Sequence, residues 1–396
     1  MKAYDVIIIG AGIAGLSQAL ALTQVGFSVA LVDHCQAPSA WQTAAAWDNR
    51  VFALTPASAT LYHDLNVWPL LLKRRITQYQ HMHLWWPGFI DRALVLNATD
   101  AAVSELGHIV EQNVLRDALW QQLSHTPLSA YWGQAWQALT HTDAGSTLRL
   151  ADGQVLQAAL IIAADGAHSA VRNYVANTEL AFSHQACAMV ATLNSEQRHQ
   201  SIARQVFHTT GTLALLPLAN PHVSSLVWSV PVAKAEALQR LSGSAFAKSV
   251  SLAVDHVLGE LSLESKPQCF PLQALCADTF VMPGLAFIAD AAHVIHPLAG
   301  LGLNLGLADV ACLTGQLLKA KRLKRPLGHL STLKPYGRRR KVAAMHMITL
   351  MCLLEKSGRL SAKCPNILSN LVNSCLGTKN LFKTSMTTIA LRALNP

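Results

Sequence analysis

Three glycines and one acid are the first residues whose spacing could do chemistry. Gly10-Ala-Gly12-Ile-Ala-Gly15 follows the apolar run Val6-Ile7-Ile8-Ile9, and Asp33 closes a second apolar run. Such a turn suits a dinucleotide: Gly10 permits a tight bend, Gly12 lets backbone approach a pyrophosphate, and Gly15 lets the following helix pack closely. The helix N-terminus then offers unpaired N–H groups and a positive dipole end to the phosphates. Asp33 is placed to accept hydrogen bonds from an adenosine ribose. His293 and His296 are three residues apart, a spacing that metal ligands can use. Beyond Asp290 no carboxylate or cysteine set surrounds them, so no metal is expected. No Ser-His-Asp or nucleophilic cysteine pattern is visible.

These residues need elements to position them. Residues 4–9 read as a buried strand, the apolar period through Leu16, Ala19, Leu20 and Leu22 as a helix stopping near Gly26, and Phe27 to Val32 as a second strand. That is a complete β-turn-α-β unit of about 30 residues. A helix is expected around Glu111 to Leu123, and strands at Leu148 to Leu150 and Val155 to Ala164, joined at Asp152-Gly153. Ala188 to Leu193, Ala203 to Phe207, Leu213 to Leu216 and Ser225 to Val230 have a β pattern that predicts a separate sheet. Helical character returns from Ala233 to Leu261. A strand at Leu285 to Ala289 then precedes a glycine-rich loop at 300–306, with helices after it. The pattern is one α/β domain interrupted by a β-rich insert.

Composition bounds the rest. Of 396 residues, 51% are hydrophobic and 13% charged, which allows a large core and excludes a disordered chain. The net charge of +9 is unevenly spread: after Asp309 there are 16 Lys and Arg against one acid, Glu355, a local +15 that leaves −6 for the rest. Ten of these cations lie between Lys319 and Lys341. With no nucleic-acid-binding motif beside them, a lipid surface or a protein partner is expected and nucleic acid is not; a merely solvated helical face stays open. The eight cysteines are scattered without a C-x-x-C pair, which fits reduced thiols in the cytosol. Val342 to Leu354, the most apolar stretch outside the N-terminal strand, is interrupted by His346 and falls short of the ~20 residues a span needs. A cytoplasmic location is expected, with peripheral contact to the inner membrane left open. Trp85-Trp86 reads as packing.

Other segments choose between NAD and FAD. Ile161-Ile-Ala163-Ala-Asp165-Gly166 to Arg172 resembles the Asp-Gly segment of aromatic-ring flavin monooxygenases, where a strand delivers an acid near the cofactor. Ala289-Asp290-Ala-Ala-His293 through Pro297, Gly300, Leu301, Gly302, Leu303 and Asn304 resembles the second flavin-binding segment of that superfamily, in wording closest to the ubiquinone-biosynthesis hydroxylases. Asp48-Asn49-Arg50 to Leu54, Gly107 to Leu115 and Tyr336-Gly-Arg-Arg-Arg340 are similar to further family segments, so the resemblance runs from residue 4 to about 345. Four positions depart from the family pattern: alanine stands at 163 and 289 where glycine is usual, Leu301 replaces a glutamine, and Asp33 replaces a longer Glu.

The resemblance implies FAD as bound cofactor and NADPH or NADH as transient reductant. The cofactor residues it implies, beside Gly10, Gly12, Gly15 and Asp33, are Arg50, Gln112, Asp165, Asp290, Gly302, Leu303 and Asn304. Pro297, Gly300 and Leu301 would form the loop at the reactive flavin edge, and Arg172 a structural ion pair. The implied fold is α/β, a Rossmann-like FAD-binding domain (1–75, 100–178 and 270–330) interleaved with a β-sheet substrate domain (76–99 and 179–269), plus a C-terminal helical region (331–396). The implied reaction is hydroxylation of a polyprenylated phenol by O2 through a C4a-hydroperoxyflavin, in contact with a quinone-biosynthesis complex. The alternatives are a small soluble aromatic substrate, or a non-catalytic FAD-binding scaffold.

Overall fold

The computed structural model describes residues 2–295 and 300–363. The expected first unit is present: the strand Lys2–Ile9, the helix α1 (Ile13–Gln24) and the strand Val29–Asp33. Val6, Ile7 and Ile8 are wholly buried, as an unbroken apolar run requires in a strand covered on both faces. Lys2–Ile9 lies at the centre of a mostly parallel sheet, between Val155–Ala163 on one side and Val29–Asp33 on the other. Leu285–Phe287 pairs parallel beyond Val155–Ala163, and Ser129–Trp132 beyond Val29–Asp33. The glycine turn therefore leaves the carboxyl end of the central strand, where strand order reverses and such sheets bind ligands.

Four helices complete the first half. α2 (Pro56–Asp64) and α3 (Trp68–Leu72) follow the strand Val51–Leu54, which joins Gly107–Glu111 and Ile76–Tyr79 in a small three-stranded sheet. α4 (Gln112–Leu123) packs on α1, and the short α5 (Ala170–Tyr174) follows the Asp165 loop.

The β pattern from 180 onwards forms a second, antiparallel sheet around Glu179–Ser195, Val223–Pro231, Gly211–Pro217 and Ile202–His208. His81–Trp85 and Leu94–Asn97 extend one side. On the other, Gln268–Ala277 runs past residue 269 and pairs with Glu179–Ser195, carrying this sheet into the segment expected to bind cofactor. One face, with Leu213, Leu215, Trp228 and Val230, is covered by α6 (Val232–Gln239) and α7 (Gly243–Ala253). The opposite face carries Ala188, Val190, Val227 and Leu272, and Leu216 packs with Trp47, Val51 and Ala53. Some of the apolar strand residues are thus plain core, while others, Leu216 among them, pack against the cofactor unit. Trp85 and Trp86 do pack: Trp85 is buried with its Nε1 donating to Asp255 (2.8 Å), and Trp86 lies against Phe207.

Two expectations need correcting. The helical stretch 233–261 is two helices and a short strand, Leu261–Leu263, because Ser242 caps α7 by accepting from the Ala245 N–H (3.3 Å). The glycine-rich 300–306 is a loop only to Leu301; α8 (Gly302–Arg322) starts at Gly302, and α9 (Leu330–Lys363) packs antiparallel to it. Glycine there marks close packing rather than a break. Among the described residues, no helix is long and apolar enough to cross a membrane.

Candidate flavin site

The three glycines meet three different surroundings. A Cβ on Gly10 would lie 2.4 Å from the Ala164 carbonyl oxygen, and its φ of +103° is in the region that favours glycine. A Cβ on Gly15 would lie 1.9 Å from the Gly10 carbonyl oxygen. A Cβ on Gly12 would meet nothing within 4 Å. Gly12 is the N-cap of α1 and brings no side chain to its free N–H groups. Two glycines are demanded by the fold, and the third keeps open the approach to a helix N-terminus where a phosphate fits. Asp33 accepts from the Ala11 N–H (2.5 Å) and the Cys35 N–H (2.7 Å), which fixes the turn against the second strand. Its carboxylate remains 11% exposed, with lone pairs left for a hydroxyl donor.

Asp165 is occupied by its own loop, accepting from the Ser169 hydroxyl (2.6 Å) and the Val171 N–H (3.0 Å). The buried Arg172 pairs with Glu179 (2.5 Å), as an ion-pair residue should, and also donates to the carbonyls of Ala167 and Ala291 (2.7 and 2.9 Å). It thereby ties the Asp165 loop to the Asp290 segment.

The turn Ala289–Ala291 follows Leu285–Phe287, with Ala289 at a φ of +53°. Asp290 is half-buried, and no donor among the described residues hydrogen-bonds its carboxylate. Burial pushes its pKa up, with the nearby Asp309 adding to the shift; His293 and Arg50 pull it back. A half-buried acceptor without a donor is what a ribityl hydroxyl would satisfy. Arg50, whose guanidinium lies over the Phe52 ring (5.8 Å), is exposed. Its carbonyl accepts from the N–H of Gln112, so the two early segments meet here with Asp290 nearby.

α8 begins behind Leu301 without a side-chain cap, leaving its first-turn amides free of any capping side chain. Gly302 and Leu303 enter the site only through this backbone. The Asn304 side chain is spent on protein: it accepts from Thr55 N–H (2.9 Å) and Ser58 Oγ (2.7 Å) and donates to Ala53 and Gly300 carbonyls (2.7 and 3.2 Å). It pins the start of α8 to the strand Val51–Leu54. Leu301 is buried, and its side chain packs in the main core. Gly300 has a φ of +63° beside Ala53. Pro297 and His296 lie outside the described residues.

The sequence reading missed the network beneath this segment. Asp309, fully buried on α8, accepts from the Ala289 N–H (2.8 Å), His293 Nε2 (2.6 Å) and Arg340 Nε (2.6 Å). Burial opposes its charge, yet His293 and Arg340 outweigh burial and hold its pKa below the ordinary range. Tyr336 donates to the Phe287 carbonyl (2.7 Å), so the Tyr336–Arg340 run clamps the strand that leads to Asp290. His293 is thus held by a carboxylate. A lone acid in the apolar stretch Leu305–Leu313 was the available signal, since such a charge is buried only when paired. Arg75, between Trp41 and Trp47, likewise pairs with buried Glu111 (2.9 Å), which accepts from the Asp48 N–H (2.8 Å) and so holds the segment preceding Arg50.

The FAD binding domain family matches residues 3–350. The chain belongs to this family. Escherichia coli 3-demethoxyubiquinol 3-hydroxylase is 32% identical over 338 residues, covering 85% of each chain. The mitochondrial ubiquinone biosynthesis monooxygenase of Xenopus tropicalis is 30% identical, covering 90% of this chain and 86% of the relative. Ubiquinone hydroxylase UbiL of Rhodospirillum rubrum is 30% identical, covering 88% and 80%. Among solved structures, p-nitrophenol 4-monooxygenase from Pseudomonas putida superposes with a TM-score of 0.79 at 16% identity, covering 100% of this chain and 99% of its own. PqsL from Pseudomonas aeruginosa, described as a probable FAD-dependent monooxygenase, gives 0.75 at 20% identity, covering 90% and 97%. The expected α/β fold and the expected enzyme class, an FAD-dependent monooxygenase, both hold.

Proposed function

We propose that this monooxygenase hydroxylates the aromatic ring of a polyprenylated phenol in ubiquinone biosynthesis, using O2 and NADPH or NADH. The 32% identity to a 3-demethoxyubiquinol 3-hydroxylase, sustained over 85% of both chains, carries the reading. FAD, when bound, supplies the redox chemistry that activates oxygen. The residues present fit it: an open Gly12, an Asp33 with free lone pairs, an Asp290 lacking a donor among the described residues, and an uncapped α8.

In this reading the α1 N-terminus holds the pyrophosphate and Asp33 the adenosine ribose. Asp290 accepts from the ribityl chain. Arg50 and Gln112 contact the cofactor from the early segments. The α8 amides of Gly302, Leu303 and Asn304 hold negative charge at the ring. Pro297, Gly300 and Leu301 border the reacting edge. Asp165, closed on its own loop, positions backbone rather than touching cofactor. Residues 1–75, 100–178 and 278–330 form the cofactor unit; 76–99 and 179–277, including the whole of Gln268–Ala277, form the cover. The apolar wall of Ala188, Val190, Val227 and Leu272 keeps water from the reacting centre, where hydration would waste reducing power as peroxide. The lipid substrate is reached at a membrane or within a biosynthetic complex.

Mass spectrometry of quinone precursors in a deletion strain tests the reaction. Accumulation of a polyprenylated phenol one oxygen short of its successor is expected. Unchanged quinone with no precursor would overturn the reading.

A further inference from the structure

The α8–α9 pair itself brings charge of one sign to its exposed surface, which Asp143 reaches from another element at His329 and the Leu330 N–H, and Asp278 at Lys341. Lys319, Arg322, Lys324, Arg325, Lys334, Arg338 and Arg339 are all exposed. Between Asp309 and Glu355 the sequence has no acid. Three other cations of this region are already engaged: Arg340 with Asp309, Lys341 with Asp278, and Lys321 with the Phe27 ring and the Gly26 carbonyl. Among the described residues, no ion pair uses any of the seven. Ordinary surfaces balance the two signs, and here the cations are in clear excess.

Two large apolar side chains stand among these charges. Leu323 is 51% exposed between Arg322 and Lys324, at the turn where α8 ends, and Val342 is 54% exposed one helical turn beyond Arg338. Cations flanking a protruding apolar side chain suit the headgroup layer of a bilayer: the charges meet lipid phosphates while the apolar groups enter between them. Single-stranded nucleic acid would want large exposed rings to stack on, and from 319 to 342 the only Phe, Tyr or Trp is Tyr336, which is 1% exposed. An acidic protein would match the charge but gives no reason for Leu323 to project at the tip.

We infer that this face docks on an anionic bilayer, with Leu323 entering the headgroup layer and the seven cations facing lipid phosphates. The inference rests on the proposed reaction only for its purpose, since a polyprenylated phenol is itself dissolved in a membrane. α8 has its N-terminus at the flavin segment and its C-terminus beside Leu323. Its 21 residues separate the two by about 30 Å, so changes at the tip leave the site intact.

Flotation of the full-length, FAD-loaded protein with vesicles tests this without using substrate. One set of vesicles is phosphatidylcholine alone; the other contains about one third phosphatidylglycerol. The protein is expected to float with the anionic vesicles only, and to be released as salt rises to about 0.5 M. R322E/K324E/R325E should lower the bound fraction by about tenfold or more while retaining FAD and turnover of a detergent-dissolved phenol. Leu323→Ser should weaken binding at unchanged charge. Should the triple reversal lose FAD, Leu323→Ser combined with Lys324→Gln makes the same comparison. Equal binding to both vesicle types, wild-type binding by the variants, or capture by polyglutamate or RNA in preference to anionic vesicles would each overturn the inference. Because no turnover is read in the flotation, its failure leaves the proposed reaction standing, and the reverse also holds.

Discussion

A Cβ on Gly306 would lie 2.6 Å from the Cβ of Ala289, so the methyl at one position and its absence at the other are a single packing arrangement. Ala289 has a φ of +53°, a conformation that costs an L-residue about 1–2 kcal/mol. The glycine-rich start of α8 absorbs that methyl.

Substitution at the two positions should therefore be coupled. Gly306→Ala alone should destabilise the protein by about 1–3 kcal/mol through overpacking. Ala289→Gly should be neutral or stabilising by up to about 1 kcal/mol, since relief at positive φ competes with the entropy of an added glycine. The double variant should recover most of the loss in urea denaturation. Strict additivity of the two single changes would show that the contact carries no energy.

Fold and cofactor demand should separate at the first glycine cluster. Gly10→Ala should yield little folded protein, because its Cβ would overlap the Ala164 carbonyl. Gly12→Ala has open space and a φ of −69°, so it should melt at or slightly above the wild-type temperature while binding FAD about tenfold or more weakly. Thermal melts and flavin fluorescence titrations read the two effects independently.

Asp290 should trade stability for binding. Its folded-state pKa is raised above the ordinary 3.8, so apo protein loses stability as pH climbs from that value through the raised one. Asp290→Asn removes this penalty. The apo variant should be more stable than wild type at neutral pH, with the gap closing in acid, yet bind FAD more weakly. An apo variant less stable at pH 7 would show that the carboxylate has an internal partner.

Asp309 behaves in the opposite sense. Its pKa is lowered, so its contribution is fully present above 3.8 and is lost as pH falls through the lowered value. Arg340→Leu or Asp309→Leu alone should cost about 3–5 kcal/mol, because each strands a buried charge, and the double change should cost less than the sum. Chemical denaturation across the four proteins closes the cycle.

How far the sequence spoke depended on the range of the interactions. The β-turn-α-β unit was legible because its strand, glycine turn and terminal acid lie within 33 residues and each has a local physical reason. The faces of the second sheet were not. Leu215 and Leu216 are adjacent and equally apolar, yet one packs under α6 and α7 and the other against Trp47 and Val51. Gly302 and Gly306 read as loop residues, because glycine propensity does not reveal the methyl at Ala289 that fills the space. Asn304 sat in the right segment, but its side chain serves Thr55 and Ser58, about 250 residues back in the chain. Asp309 could not be placed without Arg340, 31 residues on and one helix away.

The most direct test of the whole account is oxygen transfer. FAD-loaded protein, supplied with NADPH, a short-chain prenylated phenol and 18O2, is predicted to consume NADPH faster with the phenol than without it. The ring product is predicted to gain one 18O atom. A flavin-loaded protein that oxidises NADPH at the same rate with or without the phenol, and releases only hydrogen peroxide while the phenol is recovered unchanged, would contradict it.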